Sequence, residues 1–277
     1  MTSLTFLKLG GSLITDKRAA GHFHAETTRR AADEIAAVLH SRPDQHLLIG
    51  HGSGSFGHVA AQQYGTANGV YTDVDWRGFA EVATAARALN ALVMTTLHAA
   101  GLPVFGVQPS ASVLAQNGRL VQMAIEPIRG ALAHALVPVV FGDVAFDKLR
   151  GGTIISTETV FFYLAEQLRP TRILLLGEVE GVYDQTEAII PLITPENFTD
   201  IEAALGGSHG TDVTGGMASK VRTMLALAER VSGLEIVICG GSRPGQLTAV
   251  LNGEPAGTLI TAVPRAPHMG RTTEHVG

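Results

Sequence analysis

The residues that could do chemistry here are few and are grouped around glycine. Of the 20 basic residues only four are lysines, Lys8, Lys17, Lys148 and Lys220, and three of the four fall beside glycine-rich turns. In a chain that otherwise prefers arginine, a lysine suits a site that wants a compact, point-like charge. The most pointed stretch is Gly50-His51-Gly52-Ser53-Gly54-Ser55-Phe56-Gly57-His58, between the apolar run Leu47-Leu48-Ile49 and a helix-compatible segment from Val59 to Tyr64. Strand, glycine-dense turn and helix start together make a phosphate cradle. Glycine lets the backbone approach an anion, and the N–H groups of the following helix point at it. At the end of this loop His58 can donate a hydrogen bond to a phosphate oxygen and gains charge near neutral pH.

Other readings of that loop remain open. Gly52, Gly54 and Gly57 spell G-x-G-x-x-G, but a dinucleotide site needs an acidic residue after the next strand, and Asp73 and Asp75 precede a helical pattern instead. A Walker loop needs Lys then Ser or Thr where His58-Val59 stand. A tight turn with a buried histidine is the purely structural alternative.

Lys8 lies inside an apolar strand, Leu4 to Leu9, ahead of Gly10-Gly11-Ser12, with Asp16-Lys17 further on. Lys8 and Lys17 read as charges on transferring oxygens at a second phosphate loop, or as surface lysines of an ordinary turn. A lysine in an apolar strand needs a partner, and a phosphate is one. Lys220 lies one turn into a helix that opens at Gly215-Gly216, another place suited to an anion, with a solvated helix lysine as the alternative.

These residues need a scaffold, and the 277-residue chain supplies one: 45% of it is hydrophobic, with only 5% aromatics, so the core is mainly aliphatic. The net charge of -5, with no basic run, argues against nucleic acid. No apolar run reaches the roughly 20 residues of a membrane helix, and the N-terminal residues do not resemble a signal peptide. The single cysteine, Cys239, fits a reducing cytoplasm and a core position.

Periodicity predicts helices over 26–41, 76–100, 128–136 and 159–167, and one after Gly216. It predicts strands over 4–9, 47–49, 103–107, 137–141, 172–176, 235–239 and 257–260, and a hairpin over 144–156. Alternation of strand and helix argues for a mostly parallel sheet. The apolar stripe Phe79, Val82, Ala86, Leu89, Val93 and Leu97 of the long helix reads as core, with a subset available to line a greasy pocket. From Pro264 onward the tail is expected to be loose.

Lys8-Leu9-Gly10-Gly11-Ser12, the Gly50–His58 glycine loop, Gly142-Asp143-Val144, Glu180-Gly181-Val182-Tyr183, the 212–220 segment and Gly257-Thr258 occur in this order in amino acid kinases. Lys17 after Ile14-Thr15-Asp16, and His58 after Ser55-Phe56-Gly57, resemble isopentenyl phosphate kinases, with fosfomycin kinases sharing the histidine loop. The resemblance covers residues 4 to about 262. It implies a single three-layer α/β/α domain with a mainly parallel central sheet, residues 1–169 holding the acceptor, 170–263 the nucleotide, and 264–277 the tail. It also implies ATP, Mg²⁺, isopentenyl phosphate as acceptor and a cytoplasmic homodimer. By position, Lys8, Lys17 and Lys220 would stabilise the transferring phosphoryl group and the ATP phosphates. Gly10, Gly11, Ser12 and Gly54 would hold those phosphates by backbone N–H. Ser53, Gly54, His58 and Gly142 would hold the acceptor phosphate. Glu178, Gly181, Val182, Tyr183 and Gly216 would line the nucleotide site.

The chain departs from the family pattern at three places. Ser53 replaces a glycine. Thr157-Glu158 replaces Gly-Asp, an aspartate that orients the lysines, and this makes Glu158 the candidate metal contact. Glu178-Val179-Glu180 replaces Asp-Val-Asp. A kinase for another small phosphate or phosphonate, and a non-catalytic nucleotide-binding paralogue, are the alternatives. If protonated His58 grips the acceptor, its affinity falls as pH rises through the histidine pKa.

Overall fold

The computed structural model describes residues 3–16, 19, 21–205 and 216–263, with all their side chains except those of His58, Val59 and Ala204. In chain order the strands are β1 (Ser3–Leu9), β2 (Gln45–His51), β3 (Val104–Gly106), β4 (Val113–Gln116), β5 (Arg119–Met123), β6 (Val137–Phe141), β7 (Asp143–Asp147), β8 (Gly151–Ile155), β9 (Arg172–Gly177), β10 (Leu192–Ile193), β11 (Glu235–Gly240) and β12 (Thr258–Ile260). The helices are α1 (Gly11–Ile14), α2 (Ala25–Ser41), α3 (Gly54–Tyr64), α4 (Asp73–Ala99), α5 (Pro109–Ser112), α6 (Glu126–Ala133), α7 (Thr157–Leu168), α8 (Phe198–Leu205), α9 (Gly216–Arg230) and α10 (Gln246–Leu251).

Eight strands form one sheet in the order β10-β12-β11-β9-β1-β2-β6-β3. Every pairing is parallel except β11 with β12. Strand residues alternate strictly between its two faces. Phe6, Leu48, Val140, Ile173, Leu175, Ile236 and Ile238 meet α6, α7 and α9 on one side. Leu7, Leu9, Leu47, Ile49, Val139, Leu174, Leu176, Val237 and Cys239 meet α1, α2, α4 and α10 on the other. This is the expected three-layer α/β/α sandwich, because a sheet buried on both faces needs apolar residues at every position. β9 lies beside β1 and β11 beside β9, so one sheet runs across the two predicted lobes.

β1 is the pivot. β2, reached over the α2 face, pairs with one edge of it, and β9, reached from α7 on the opposite face, pairs with the other. At such a switch point a crevice opens beyond the carboxyl ends of the strands. The sequence motifs end there.

Several boundaries differ from expectation for identifiable reasons. α4 begins at Asp73 because Thr72 and Asp75 form a reciprocal capping box. α7 begins at Thr157 because the Ser156 hydroxyl accepts from the Thr159 N–H. The predicted hairpin is β7–β8, but it belongs to a second, four-stranded sheet in the order β5-β4-β7-β8. The β4–β5 hairpin in that sheet was not anticipated, although Asn117-Gly118 is a strong hairpin signal and both residues have positive φ (53° and 77°). Asp147 ties the two hairpin turns together, accepting from the N–H groups of Asn117, Gly118, Leu149 and Arg150.

The α4 stripe is core. Leu89, Val93 and Leu97 pack on the large sheet. Phe79 and Val82 join Val70 and Val144 beside Ala60 and Ala61 of α3. A cleft of about 630 Å³, lined by Gln45, His46, Leu47, Pro103 and Val137, lies at the opposite, amino end of the strands, away from the motifs. Among the described residues no helix is long and apolar enough to cross a membrane. Cys239 is fully buried, and burial pushes its thiol up to about 12, which suits a core residue and not a nucleophile.

Candidate active site

The loops that follow β1 and β2 lie backbone against backbone. A Cβ on Gly11 would stand 2.6 Å from the Gly54 nitrogen, one on Gly52 2.9 Å from the Gly11 nitrogen, and one on Gly10 2.5 Å from the Leu176 carbonyl oxygen. Gly54 has φ +49°, and its Cβ would strike the Thr15 side chain. These glycines therefore serve close approach of the chain to itself as well as to any anion. Thr15 is the rivet: its hydroxyl donates to the Gly11 carbonyl at 2.7 Å and accepts from the Ser55 N–H at 3.0 Å. That contact starts α3 at Gly54, inside the glycine run and not after His58 as the sequence suggested. The cap comes from a residue 40 positions away, and Ser53 makes no local side-chain cap. His58 thus sits within α3, in its second turn. Its side chain lies outside the described residues, as do Lys17 and the 206–215 segment.

Lys8 lies on the face of the sheet that meets α7 and α9. It is only 8% exposed, opposite Gly50 of β2 and Leu175 of β9. Its ammonium donates to Glu158 Oε1 at 2.8 Å. The partner for this strand lysine is thus a carboxylate of the chain itself, where the sequence suggested a phosphate. Lys220 Nζ lies 3.9 Å from the same oxygen. Burial pushes the Glu158 carboxyl up, but the Lys8 and Lys220 ammonium groups outweigh it and hold it at about 2. Gly50 makes this possible. A Cβ there would stand 2.6 Å from both Phe161 and Thr157, so its absence lets the first turn of α7 reach the sheet and set Glu158 over Lys8. Lys220 keeps 36% of its side chain exposed, one turn into α9 behind Gly216, where φ is +68°. One buried and one half-open ammonium group, bridged by a carboxylate, form a cationic pair at the crevice.

The remaining predicted positions cluster along the same edge. The Gly142 N–H donates to the His51 carbonyl at 3.2 Å, and the Thr157 hydroxyl donates to the same oxygen. Ser12 and Ser53 are half-buried on the facing loops. Past β9, Glu178 is exposed and Tyr183 is 37% exposed. The Val182 side chain is buried in the core and its N–H donates to the Thr258 hydroxyl at 2.8 Å, so it has no side chain to offer a nucleotide. A Cβ on Gly181 would stand 2.8 Å from Ile189. Glu180, the other member of the altered acidic pair, is clasped by Arg243 at 2.8 Å and Gln246 at 2.6 Å, which ties the β9 loop to the start of α10 and the loop before it.

Two contributors lay outside the sequence reading. Thr15 had no local signal, since its partners come from another loop. His51 was quoted only as part of the glycine run. It is fully buried, stacked on Phe141 with centroids 5.4 Å apart and planes 7° apart, and bonded to Gly52 and Asn90. Asp143, also buried, accepts from the Ser110 and Val144 N–H groups.

Among the described residues no three His, Cys, Asp or Glu side chains are placed to hold a metal ion together. The carboxylate at the centre, Glu158, is already paired with Lys8. This donor set does not form a metal cage of the protein's own.

The matches to known proteins follow the same geometry. The amino acid kinase family model matches residues 3–240. An isopentenyl phosphate kinase from Methanothermobacter thermautotrophicus is 36% identical over 269 residues, covering 93% of this chain and 99% of that protein. One from Haloferax volcanii is also 36% identical, over 259 residues, covering 93% and 98%. A solved isopentenyl phosphate kinase structure superposes with a TM-score of 0.78 at 32% identity, covering 93% of this chain and all of that one. With two glycine loops at the switch point, a lysine on β1 and full-length likeness to these proteins, the chain belongs to the amino acid kinase family, among its isopentenyl phosphate kinases.

Proposed function

We propose that this protein transfers the γ-phosphoryl group of ATP to the phosphate of isopentenyl phosphate, giving isopentenyl diphosphate and ADP. The observation that carries the reading is the pairing of Lys8 and Lys220 through Glu158 at the mouth of the facing glycine loops, in a chain whose full-length relatives are isopentenyl phosphate kinases. In the proposed step an anionic oxygen of the acceptor phosphate forms a bond to the γ-phosphorus, and the bond from that phosphorus to the β,γ-bridging oxygen breaks. The electron pair leaves on ADP. The acceptor oxygen is already ionised, so no base is needed, and catalysis reduces to alignment and charge.

Lys8, Lys17 and Lys220 supply positive charge to the spreading equatorial oxygens. The first loop, Gly10 to Ser12, and Gly54 offer N–H groups to the donor phosphates. Ser53, Gly54, His58 and Gly142 take the acceptor phosphate, and Glu178, Gly181, Tyr183 and Gly216 flank the nucleotide. Glu158 keeps both ammonium groups aimed. Mg²⁺ would come with the nucleotide, held by its phosphates and water, as is usual for this ion. The resemblance also implies a cytoplasmic homodimer.

The test is ATP consumption with isopentenyl phosphate, dimethylallyl phosphate and fosfomycin side by side. We expect the highest kcat/KM with isopentenyl phosphate. Preference for fosfomycin would overturn the substrate, and silence with all three would overturn the activity. If His58 grips the acceptor as an imidazolium, the KM for isopentenyl phosphate rises as pH rises through the histidine range. A His58→Gln variant should lose that slope. An unchanged slope would remove His58 from the role.

A further inference from the structure

The buried histidine before the glycine run, His51, is not one of the groups assigned to phosphate above, yet its hydrogen bonds set the direction of a backbone donor in the loop. Its Nδ1 lies 3.0 Å from the Gly52 carbonyl oxygen, and its Nε2 lies 3.1 Å from the Asn90 side-chain amide, at the Oδ1 position. The ring is completely buried and clamped against Phe141. Burial lowers its pKa and favours the neutral ring, which carries one N–H. A carbonyl oxygen can only accept, so that N–H belongs on Nδ1. The Asn90 amide then turns its NH₂ toward Nε2, the two ends of an amide being alike in shape.

The Gly52 carbonyl shares one peptide unit with the Ser53 N–H. No peptide bond among the described residues is cis, and across a trans peptide the C=O and N–H point in opposite directions. With the carbonyl held by the imidazole, the Ser53 N–H points away from the ring, and it meets no acceptor among the described residues. Turning this peptide over would rotate ψ of Gly52, which has no Cβ to resist it, and φ of Ser53, which stands at −75° and would be carried into the left-handed region. Without the imidazole the peptide is instead free to tilt within the range that Ser53 allows. Tilted, it would swing the Ser53 N–H off the line to an incoming phosphate.

We infer that His51, oriented by Asn90, is a positioning residue that locks the Gly52–Ser53 peptide with its N–H toward the acceptor phosphate. The inference rests on the proposed placing of that phosphate at Ser53 and Gly54.

Two substitutions separate this from mere burial. In His51→Asn the side-chain NH₂ stands near the place of Nδ1 and still reaches the Gly52 carbonyl. In His51→Gln the amide stands near Nε2 and reaches Asn90 instead. With wild type, His51→Asn and His51→Gln measured together, we expect His51→Gln to raise the KM for isopentenyl phosphate by about tenfold, the scale of one lost donor to an anion. The KM for ATP should stay within about twofold, and His51→Asn should recover most of the acceptor KM. The inference is overturned if both variants raise KM alike in proportion to their loss of Tm, or if His51→Gln leaves the acceptor KM unchanged. If the wild-type enzyme fails to use isopentenyl phosphate, the proposed function fails, and His51 is then tested with inorganic phosphate. The Ser53 amide resonance should shift on adding phosphate in wild type and His51→Asn but not in His51→Gln. Equal shifts in all three would overturn the inference on its own.

Discussion

At the residue scale, Glu158 decides what Lys8 can be. A lysine 8% exposed on a sheet strand would be costly without a counter-charge, and the carboxylate 2.8 Å from its ammonium group supplies one. Because the folded carboxyl sits at about 2, below its ordinary 4.5, its contribution to stability is present above pH 4.5 and is lost as pH falls toward 2. Glu158→Gln should therefore lower stability by about 2–4 kcal/mol at neutral pH, since it leaves Lys8 buried and unpaired. The gap between variant and wild type should narrow as pH drops through that window. Urea titrations at neutral and acid pH check it, and a constant gap would dismiss the linkage. The same substitution should slow turnover, because both lysines lose the carboxylate that aims them.

At the element scale, the site is a contact between loops. The turns after β1 and β2 touch through glycine backbone and are pinned by Thr15. Gly11→Ala puts a methyl 2.6 Å from the Gly54 nitrogen and should pry the loops apart. Its expected cost is about 1–3 kcal/mol in stability and more than tenfold in kcat/KM. Gly130→Ala in α6 is the control: a Cβ there meets nothing within 4 Å, so it should be neutral or slightly stabilising. If the two variants behave alike in thermal melts and in kinetics, loop contact is not what the glycines serve.

At the scale of the whole molecule, the two-faced sheet brings distant segments to one edge. Phe161 of α7 is fully buried against Phe6 of β1, with ring centroids 5.1 Å apart, and this contact seats the helix that carries Glu158. Phe161→Ala should cost about 3–5 kcal/mol by opening a cavity. It should also lower kcat more than a core truncation of similar cost on the α2 face, such as Ile35→Ala. Equal kinetic effects at equal stability would mean that α7 has no special tie to the site.

What the sequence determined by itself was the alphabet of the site and the layers of the fold. Continuous apolar runs bounded by glycine, alternating with 3.6-residue stripes, leave little room for anything but a parallel sheet covered on both faces. Lys8 and Lys220 stood out because a lysine beside glycine in an arginine-rich chain is unusual locally. Even the missed β4–β5 hairpin was legible in Asn117-Gly118. Only the tertiary structure decided the pairings that no local window contains. Thr15 begins α3 from 40 residues away. Glu158 meets Lys8 across 150 positions. Val182 turned its side chain into the core. Local sequence reports the conformational preference of a few consecutive residues, whereas a buried charge or an orphan N–H takes whatever partner the packed sheet brings within 3 Å.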